Sequence, residues 1–369
     1  MSRLAELIKE LCPDGVEYRP LNELVGIRNG CDYKTLSPGN VPVYGSGGVM
    51  THVSEALGEG PTVLIPRKGS LDNIFFVEGE FWTVDTIFYT EIASDLDPKF
   101  FYYKMKTMRL SQMNEAAGVP SMNQRKLGRI QIPVPPLEVQ REIVRILDQF
   151  TTLEAELEAE LEARRTQYEH YRNHLLSYES LAARGPVSMV PLRECIELCF
   201  GERITKTQHA GTLYPVYGGG GASFATDSFN RADEFVISRF ALSEVCVRYV
   251  SGEFWLLDSG ITFNVNESCC DKRYVGQFLL SRQNDIYRKS AGAAQRNLKI
   301  AEFLSMEVPL PGLVEQRRIA DLLDRFVTLV NDISSGLPAE IAARRAQYEH
   351  YRDRLLSFPE KAVSGSDAS

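Results

Sequence analysis

The sequence has no run of eighteen apolar residues, so no segment has the length and apolarity of a membrane-spanning helix. Its opening residues, Met1 to Leu11, carry Arg3, Glu6, Lys9 and Glu10 among apolar positions. This predicts a short amphipathic helix rather than a secretory signal. Histidine is scarce, with five in 369 residues, and only His170 and His174 stand at a helical spacing that could hold a metal. Seven cysteines show no zinc-type spacing, and reduced, buried thiols of a cytosolic protein are expected, with no metal centre and no disulfide framework. No Gly-Lys-Ser/Thr follows the glycine clusters, which excludes a nucleotide-triphosphate loop. An Asn/Asp-Pro-Pro-Tyr/Phe segment is also missing, and with it the site of an amino-methyltransferase that flips its target base. Basic excess is lacking too: the net charge is −8, with five glutamates and no base between Leu153 and Ala163. The rest is close to neutral. That argues against non-specific coating of nucleic acid or membrane and leaves room for a local basic cleft.

What the chain does have is a duplication. Residues 163–178, ARRTQYEHYRNHLLSY, return as residues 343–358, ARRAQYEHYRDRLLSF, with 12 of 16 positions identical. PVYGSGG (Pro42 to Gly48) returns as PVYGGGG (Pro215 to Gly221), and GEFW (Gly79 to Trp82) as GEFW (Gly252 to Trp255). IPVPPLEVQREI (Ile132 to Ile143) returns as VPLPGLVEQRRI (Val308 to Ile319), so the offset runs from 173 to 180 residues. Repeats of that size are whole domains rather than solenoid units.

Each copy is predicted to be a head followed by a helix. Val139, Ile143, Ile146, Phe150, Leu153, Leu157 and Leu161 alternate at spacings of three and four, which makes 137–178 one long helix with a coiled-coil seam. The second copy, about 313–357, repeats the seam at Ile319, Leu322, Leu323, Phe326 and Leu329. A break is expected at Ser334-Ser335-Gly336-Leu337-Pro338. The heads contain short β-rich runs such as Thr62 to Ile65 and Glu234 to Ser238, separated by glycine turns, and are read as α+β. Few residues join the first helix to the second head, so the second helix has to run back antiparallel. The expected fold has two β-rich domains at opposite ends of two long antiparallel coiled-coil helices, pseudo-two-fold symmetric, with the chain termini near the same end. The spans are 1–132, 133–185, 186–308 and 309–358, with a disordered tail at 359–369.

Two heads, each followed by a helix that opens Pro-x-Pro-x-x-x-x-Gln (Pro133 to Gln140, Pro309 to Gln316), resemble the specificity (S) subunit of type I restriction-modification enzymes. The segments Gly118 to Asn123 and Gly292 to Asn297 ahead of those helices add to the resemblance, which covers essentially the whole chain. It implies two target-recognition domains on a spacer frame that read a bipartite, asymmetric site in double-stranded DNA. It also implies two docked methyltransferase (M) subunits and restriction/translocase (R) subunits. Catalysis, and S-adenosylmethionine with it, would lie in those partners, leaving this chain a cytoplasmic, non-catalytic reader with no cofactor of its own. The LEAELEAELEA stretch is similar to the four-residue repeats of the family's central spacer, where it would act as a ruler; Glu/Ala/Leu repeats are also simply good helix formers. A scaffold whose two heads bind a glycan or a peptide is the alternative.

Candidate contacts follow from side-chain chemistry, since arginine suits guanine, asparagine or glutamine suits adenine, and lysine suits phosphate. In the first head these are Arg67, Lys68, Asn123, Gln124, Arg125 and Lys126; in the second they are Arg239, Arg248, Gln295, Arg296, Asn297 and Lys299. Gly45, Gly47, Gly218 and Gly220 either let backbone approach DNA closely or serve tight turns. Trp82 and Trp255, identical in both copies, are expected in the core. Tyr168, Tyr171, Arg172, Tyr348, Tyr351 and Arg352, on the repeated helix segment, are candidates for docking a methyltransferase, with coiled-coil packing as the plainer reading.

Overall fold

The structure, a computed structural model, describes residues 3–114, 118–292, 296–331 and 337–361. The chain divides into two units, Met1–Leu157 together with Ile341–Ser369, and Glu158–Glu340.

In the first unit the described residues form a two-stranded sheet, Tyr18–Pro20 with Gln131–Pro133, and two four-stranded ones. One orders Val25–Asn29, Ile87–Ile92, Thr62–Pro66 and Phe75–Val77; the other orders Gly48–Val53, Pro38–Gly45, Glu80–Thr83 and Gly58–Glu59. Thr62–Pro66 is buried along its whole length, as its run of β-branched and aliphatic side chains requires. The helix Pro98–Thr107 covers the sheet with Phe100, Phe101, Tyr103 and Met105. It starts where the sequence says it should, because Asp97 accepts from the Lys99 and Phe100 amides and Pro98 takes the first turn.

The helix Leu137–Leu175 runs unbroken for 39 residues, as the seam spacing predicts. As far as Leu157 it belongs to the first unit, where Val139, Ile143 and Leu147 are fully buried against the head. Each stabilises by about 1.5–3 kcal/mol. The helix Leu337–Leu355 lies antiparallel to it from Ile341 onward. Phe150 meets both Tyr348 and Tyr351, and one turn further along Glu154 pairs with Arg345. Residues 359–361, expected to open a disordered tail, instead close the head. The Val16 amide donates to the Pro359 carbonyl, the Lys361 amide donates to the Val16 carbonyl, and the Tyr18 hydroxyl donates to the Phe358 carbonyl. Unpaired backbone polar groups on Val16 would be costly, so the segment is held in place. The N-terminal and C-terminal segments of the described chain therefore meet, as the antiparallel helices require.

In the second unit the described residues make a six-stranded sheet, ordered Ile196–Phe200, Gly260–Val265, Arg231–Ser238, Val247–Leu256, Tyr214–Gly218 and Gly221–Thr226, and two two-stranded ones, Val187–Pro191 with Glu307–Pro311 and Ser290–Ala291 with Asn297–Leu298. Val247–Leu256 is a single strand where the first unit has the separate strands Phe75–Val77 and Glu80–Thr83. A bulge opposite Asp233 keeps it continuous, and the Asp233 carboxylate accepts from the Gly252 amide at 2.8 Å. The helix Lys272–Ser281 matches Pro98–Thr107, and Asp271 caps it as Asp97 caps its counterpart. The helix Leu313–Asn331 belongs to this unit. Tyr171, on the continuation of the long first helix, stacks on its Phe326 at 6.1 Å. Ser334, Ser335 and Gly336, where a break is expected, lie outside the described residues, and Leu337 opens the next helix.

The repeated glutamine is the joint between head and helix in both units. Gln140 is fully buried; its Oε1 accepts from the Asp97 amide at 2.7 Å and its Nε2 donates to the carbonyls of Asp95 and Pro135. Gln316, equally buried, accepts from the Asp271 amide at 2.9 Å and donates to the carbonyls of Cys269 and Pro311. One amide side chain thus satisfies a helix cap, a loop and the proline turn together, which no apolar residue could do.

Two expectations need correction. Trp82 and Trp255 are half-buried, not core. The fully buried aromatics are their neighbours Phe81 and Phe254, because alternate side chains of a strand face opposite ways. The indoles donate to loop carbonyls, Trp82 to Cys31 and Trp255 to Glu202, both at 3.0 Å. All seven cysteines are free, but Cys31 and Cys269 are exposed rather than buried.

Candidate nucleic-acid interface

Each head gathers the described ones among its candidate residues at a cluster of loops, through backbone pairing of segments distant in sequence. In the first head the Arg67 amide donates to Thr86, the Arg67 carbonyl accepts from Met122, and the Gly69 amide donates to Pro120. Lys68 forms a bridge with Ser121, so Arg67-Lys68 and the segment 120–126 lie side by side. The hairpin turn Ser46-Gly47 joins them, since the Asn73 side chain donates to the Ser46 carbonyl at 3.0 Å.

The second head repeats this pattern. The Arg239 amide donates to Ser259, the Arg239 carbonyl accepts from Leu298, and the Ser238 hydroxyl and the Arg248 guanidinium both donate to the Gly219 carbonyl. Arg67 and Arg239 are therefore equivalent positions, as are Met122 and Leu298. Asn123 then matches Lys299, not Asn297, so the two Gly-x-x-x-x-Asn segments are not in register. Asn123 caps the helix Gln124–Gly128 by accepting from the Lys126 amide, whereas Asn297 sits exposed in the short strand Asn297–Leu298.

The glycines divide by position. Gly45 pairs with Gly48 and Gly218 with Gly221, which closes two-residue hairpins at Ser46-Gly47 and Gly219-Gly220. Gly45 and Gly218 are buried, and a Cβ there would meet the side chains of Met50 and Ser259, which would have to move aside. Gly47 and Gly220 are exposed turn tips with open space around them.

The basic candidates also differ in how they are held. Arg67 lies over the Phe88 ring at 5.8 Å. Arg239 lies over both Phe200, at 4.9 Å, and Phe240, at 4.6 Å. Neither has a carboxylate partner among the described residues, and cation–π contact of this kind orients a guanidinium while leaving its N–H edge available. Arg248 is partly buried, burial pulls its pKa down, and its Nε has no hydrogen-bond partner among the described residues. Arg296 folds back on its own loop, donating to the Ser290 hydroxyl and carbonyl and covering Tyr287 at 4.5 Å. The Gln124 side chain donates to the Ile27 carbonyl, and Lys126 Nζ to the Met113 carbonyl. Lys299 pairs with Glu302 at 2.8 Å, while Lys68 and Arg125 stand exposed. Gln295 lies outside the described residues.

On the repeated helix segment the tyrosines separate into two kinds. Tyr168 is buried, donates to Gln277 at 3.1 Å, and lies under Arg172; burial raises its pKa. Tyr348 is half-buried under Arg352, and burial raises its hydroxyl to about 12. Tyr171 and Tyr351 remain 43% and 39% exposed while stacking on Phe326 and Phe150, so of these four tyrosines they are the two open to solvent.

Comparison with known proteins places this geometry. The family profile of the type I restriction modification DNA specificity domain matches residues 13–163 and 226–343. The chain belongs to that family. A putative type I restriction enzyme specificity subunit of Haemophilus influenzae is 30% identical over 93% of this chain and 96% of its own length. The EcoR124I/EcoR124II specificity subunit of Escherichia coli is 31% identical over 71% of each chain. Among solved structures, the S subunit of a type I system from M. genitalium superposes with a TM-score of 0.60 at 16% identity, covering 93% of this chain and 96% of that one, which supports the fold. Membership makes the chain the DNA specificity component of a type I system, and a non-catalytic one. The scaffold for a glycan or peptide finds no support in these likenesses. Among the described residues no helix is long and apolar enough to cross a membrane.

Sequence reading missed Phe200, 44% exposed beneath Arg239. No local pattern marks it. The two meet only because Ile196–Phe200 pairs with Gly260–Val265, which pairs in turn with Arg231–Ser238.

Proposed function

We propose that each head reads one half of a bipartite, asymmetric duplex site through its loop cluster, across a spacer that is not read. Two methyltransferase subunits dock on the helical frame and bring S-adenosylmethionine; restriction/translocase subunits join them, and the assembly works in the cytoplasm. The observation that carries this reading is convergence: in both heads, loops from distant parts of the chain place an unpaired arginine, Arg67 or Arg239, beside a glycine hairpin and a basic segment. Guanidiniums held by aromatic rings suit guanine edges, while Lys68, Arg125 and Lys299 suit phosphates. Tyr171 and Tyr351, with Arg172 and Arg352 beside them, suit the docking of two similar subunits on two similar frames. The glutamate-rich stretch of the first helix sets the separation of the half-sites.

Replacing residues 1–132 by the corresponding head of a relative tests this directly. Mapping of methylated bases in cells should show one half of the site changed and the other retained. A change in both halves would refute one head per half-site. Purification of the tagged chain should also bring down the methyltransferase in a two-to-one ratio.

A further inference from the structure

Beside the loop cluster of the first head lies a groove of about 710 Å³ that none of the candidate contacts above explains as a whole. One wall is the helix Gln124–Gly128 with Arg129 after it; the other is Asn22 and the strand Val25–Asn29. Gln124, Arg125 and Arg129 line the first wall, and Gly26 and Arg28 line the second. Gly128 closes the floor: a Cβ there would come within 3.1 Å of the Asn22 side chain, so a larger residue would push the walls apart by a few tenths of an ångström. Arg125 and Arg129 are four residues apart and share a face of the chain turn. Both are exposed, and neither has a carboxylate partner among the described residues. Arg28 is neutralised by Glu91 at 2.8 Å, which fixes its guanidinium at the rim.

Among the described residues that line this groove none is acidic, and Glu91, which lies against Gly26, is taken up by Arg28. In contrast, a groove of about 580 Å³ in the second unit carries Arg282, Arg288 and Lys289 but also Asp285, Glu302 and Glu307, so its charges cancel. At the position of the first head's basic helix the second head has Ile300–Leu304, whose only charge is Glu302.

We infer that the groove of the first head holds the DNA backbone, with Arg125 and Arg129 on phosphates and the Gln124 and Asn22 amides beside them, and that the second head has no such anchor. The inference rests on the DNA-recognition reading and adds an inequality to it. Binding through the first head is anchored to the backbone by this groove independently of sequence, whereas the second head offers Lys299, already paired with Glu302, beside its reading loops. Phosphate contacts release counterions, so each one steepens the dependence of affinity on salt by about one unit of log–log slope.

The test uses the full chain with its methyltransferase subunits and a duplex bearing the site found by methylation mapping. Arg125→Gln/Arg129→Gln should lower affinity about tenfold at moderate salt, flatten the salt slope by about 2, and leave the methylated sequence unchanged. Arg125→Lys/Arg129→Lys should recover most of the slope, since a point charge suffices for phosphate. Both positions are exposed, so the thermal midpoint serves as the check on folding. An unchanged slope with normal wild-type binding overturns the groove but leaves the recognition reading standing. A changed methylated sequence would make these residues base readers, and loss of the methyltransferase with an unchanged slope would make the groove a protein dock; either result overturns the inference. A wild-type complex that shows no preference for its mapped site would remove both.

Discussion

In the first head Gln140 ties a helix cap, a loop and the proline turn to the long helix; in the second, Gln316 does the same with the corresponding atoms. Trp82 and Trp255 donate to equivalent loops, and Arg67 and Arg239 hang from equivalent backbone bonds. A short distance from these shared features the heads diverge. Arg239 is gripped by two phenylalanines where Arg67 meets one ring, and a basic turn in the first head is replaced by Ile300 to Leu304 in the second. Sameness follows the joint between head and helix, and difference follows the loop end. A reader of an asymmetric site is expected to divide in this way: identical frames present both heads to similar partners, and unlike surfaces meet unlike half-sites.

The largest test of the shared half of this comparison is the glutamine. Gln140→Ala leaves the buried Asp97 amide and the Asp95 and Pro135 carbonyls unpaired, and should destabilise by about 3 kcal/mol. Gln316→Ala should cost about the same, because it orphans the same three kinds of group. Denaturant titration of both variants measures the equality. If one is harmless and the other is not, the two joints are alike only in appearance.

The differing half is tested at the matched arginines. Arg239→Ala should reduce site-specific affinity by about 10- to 100-fold, the loss of one well-oriented guanidinium on a base edge, and relax the sequence only in the second head's half-site. Arg67→Ala should relax only the other half. Phe200→Ala, which removes one of the rings that orient Arg239, should give a smaller loss in the same half-site as Arg239→Ala. Equal effects of either arginine on both halves, read by binding to duplexes mutated one half at a time, would break the assignment of heads to half-sites.

Much of this arrangement is legible in the sequence because it is periodic or repeated. The three-four spacing from Val139 to Leu161 specifies a helix, and the doubled glutamine marks the joint even though its hydrogen bonds cannot be read from a string. Legibility ends where contacts are non-local or where matched segments differ in length. Asn123 and Asn297 share a local pattern yet occupy different places, because the register is fixed by the bonds that Met122 and Leu298 make to Arg67 and Arg239. Trp82 looks like a core residue by size and recurrence; strand alternation gives the core position to Phe81. Arg129 could have been found from its four-residue spacing to Arg125, but the opposite wall of the groove comes from residues about a hundred positions earlier.

The smallest expected effect concerns a difference in connectivity between the heads. After Leu176 the chain continues through the helix Tyr178–Ala182 into the strand Val187–Pro191 of the second head. After Leu356 the matching segment joins the first head without a covalent link, through the buried side chains of Leu356 and Phe358 and through hydrogen bonds between Val16 or Tyr18 and Phe358, Pro359 and Lys361. The same packing is thus covalent in one head and non-covalent in the other. A circular permutant that joins the C-terminal segment to residue 3 through a short glycine linker, and opens at Gly185, exchanges the two situations. Gly185 is exposed and a Cβ there would meet nothing, so cutting beside it removes no packed contact. Loop closure entropy grows slowly with length, so closing one short loop while opening another should leave the stability read from the thermal midpoint, and the DNA affinity, within about 1 kcal/mol. A soluble parent and an aggregating permutant would show that the covalent connection at 178–187 does more than hold a strand end in place.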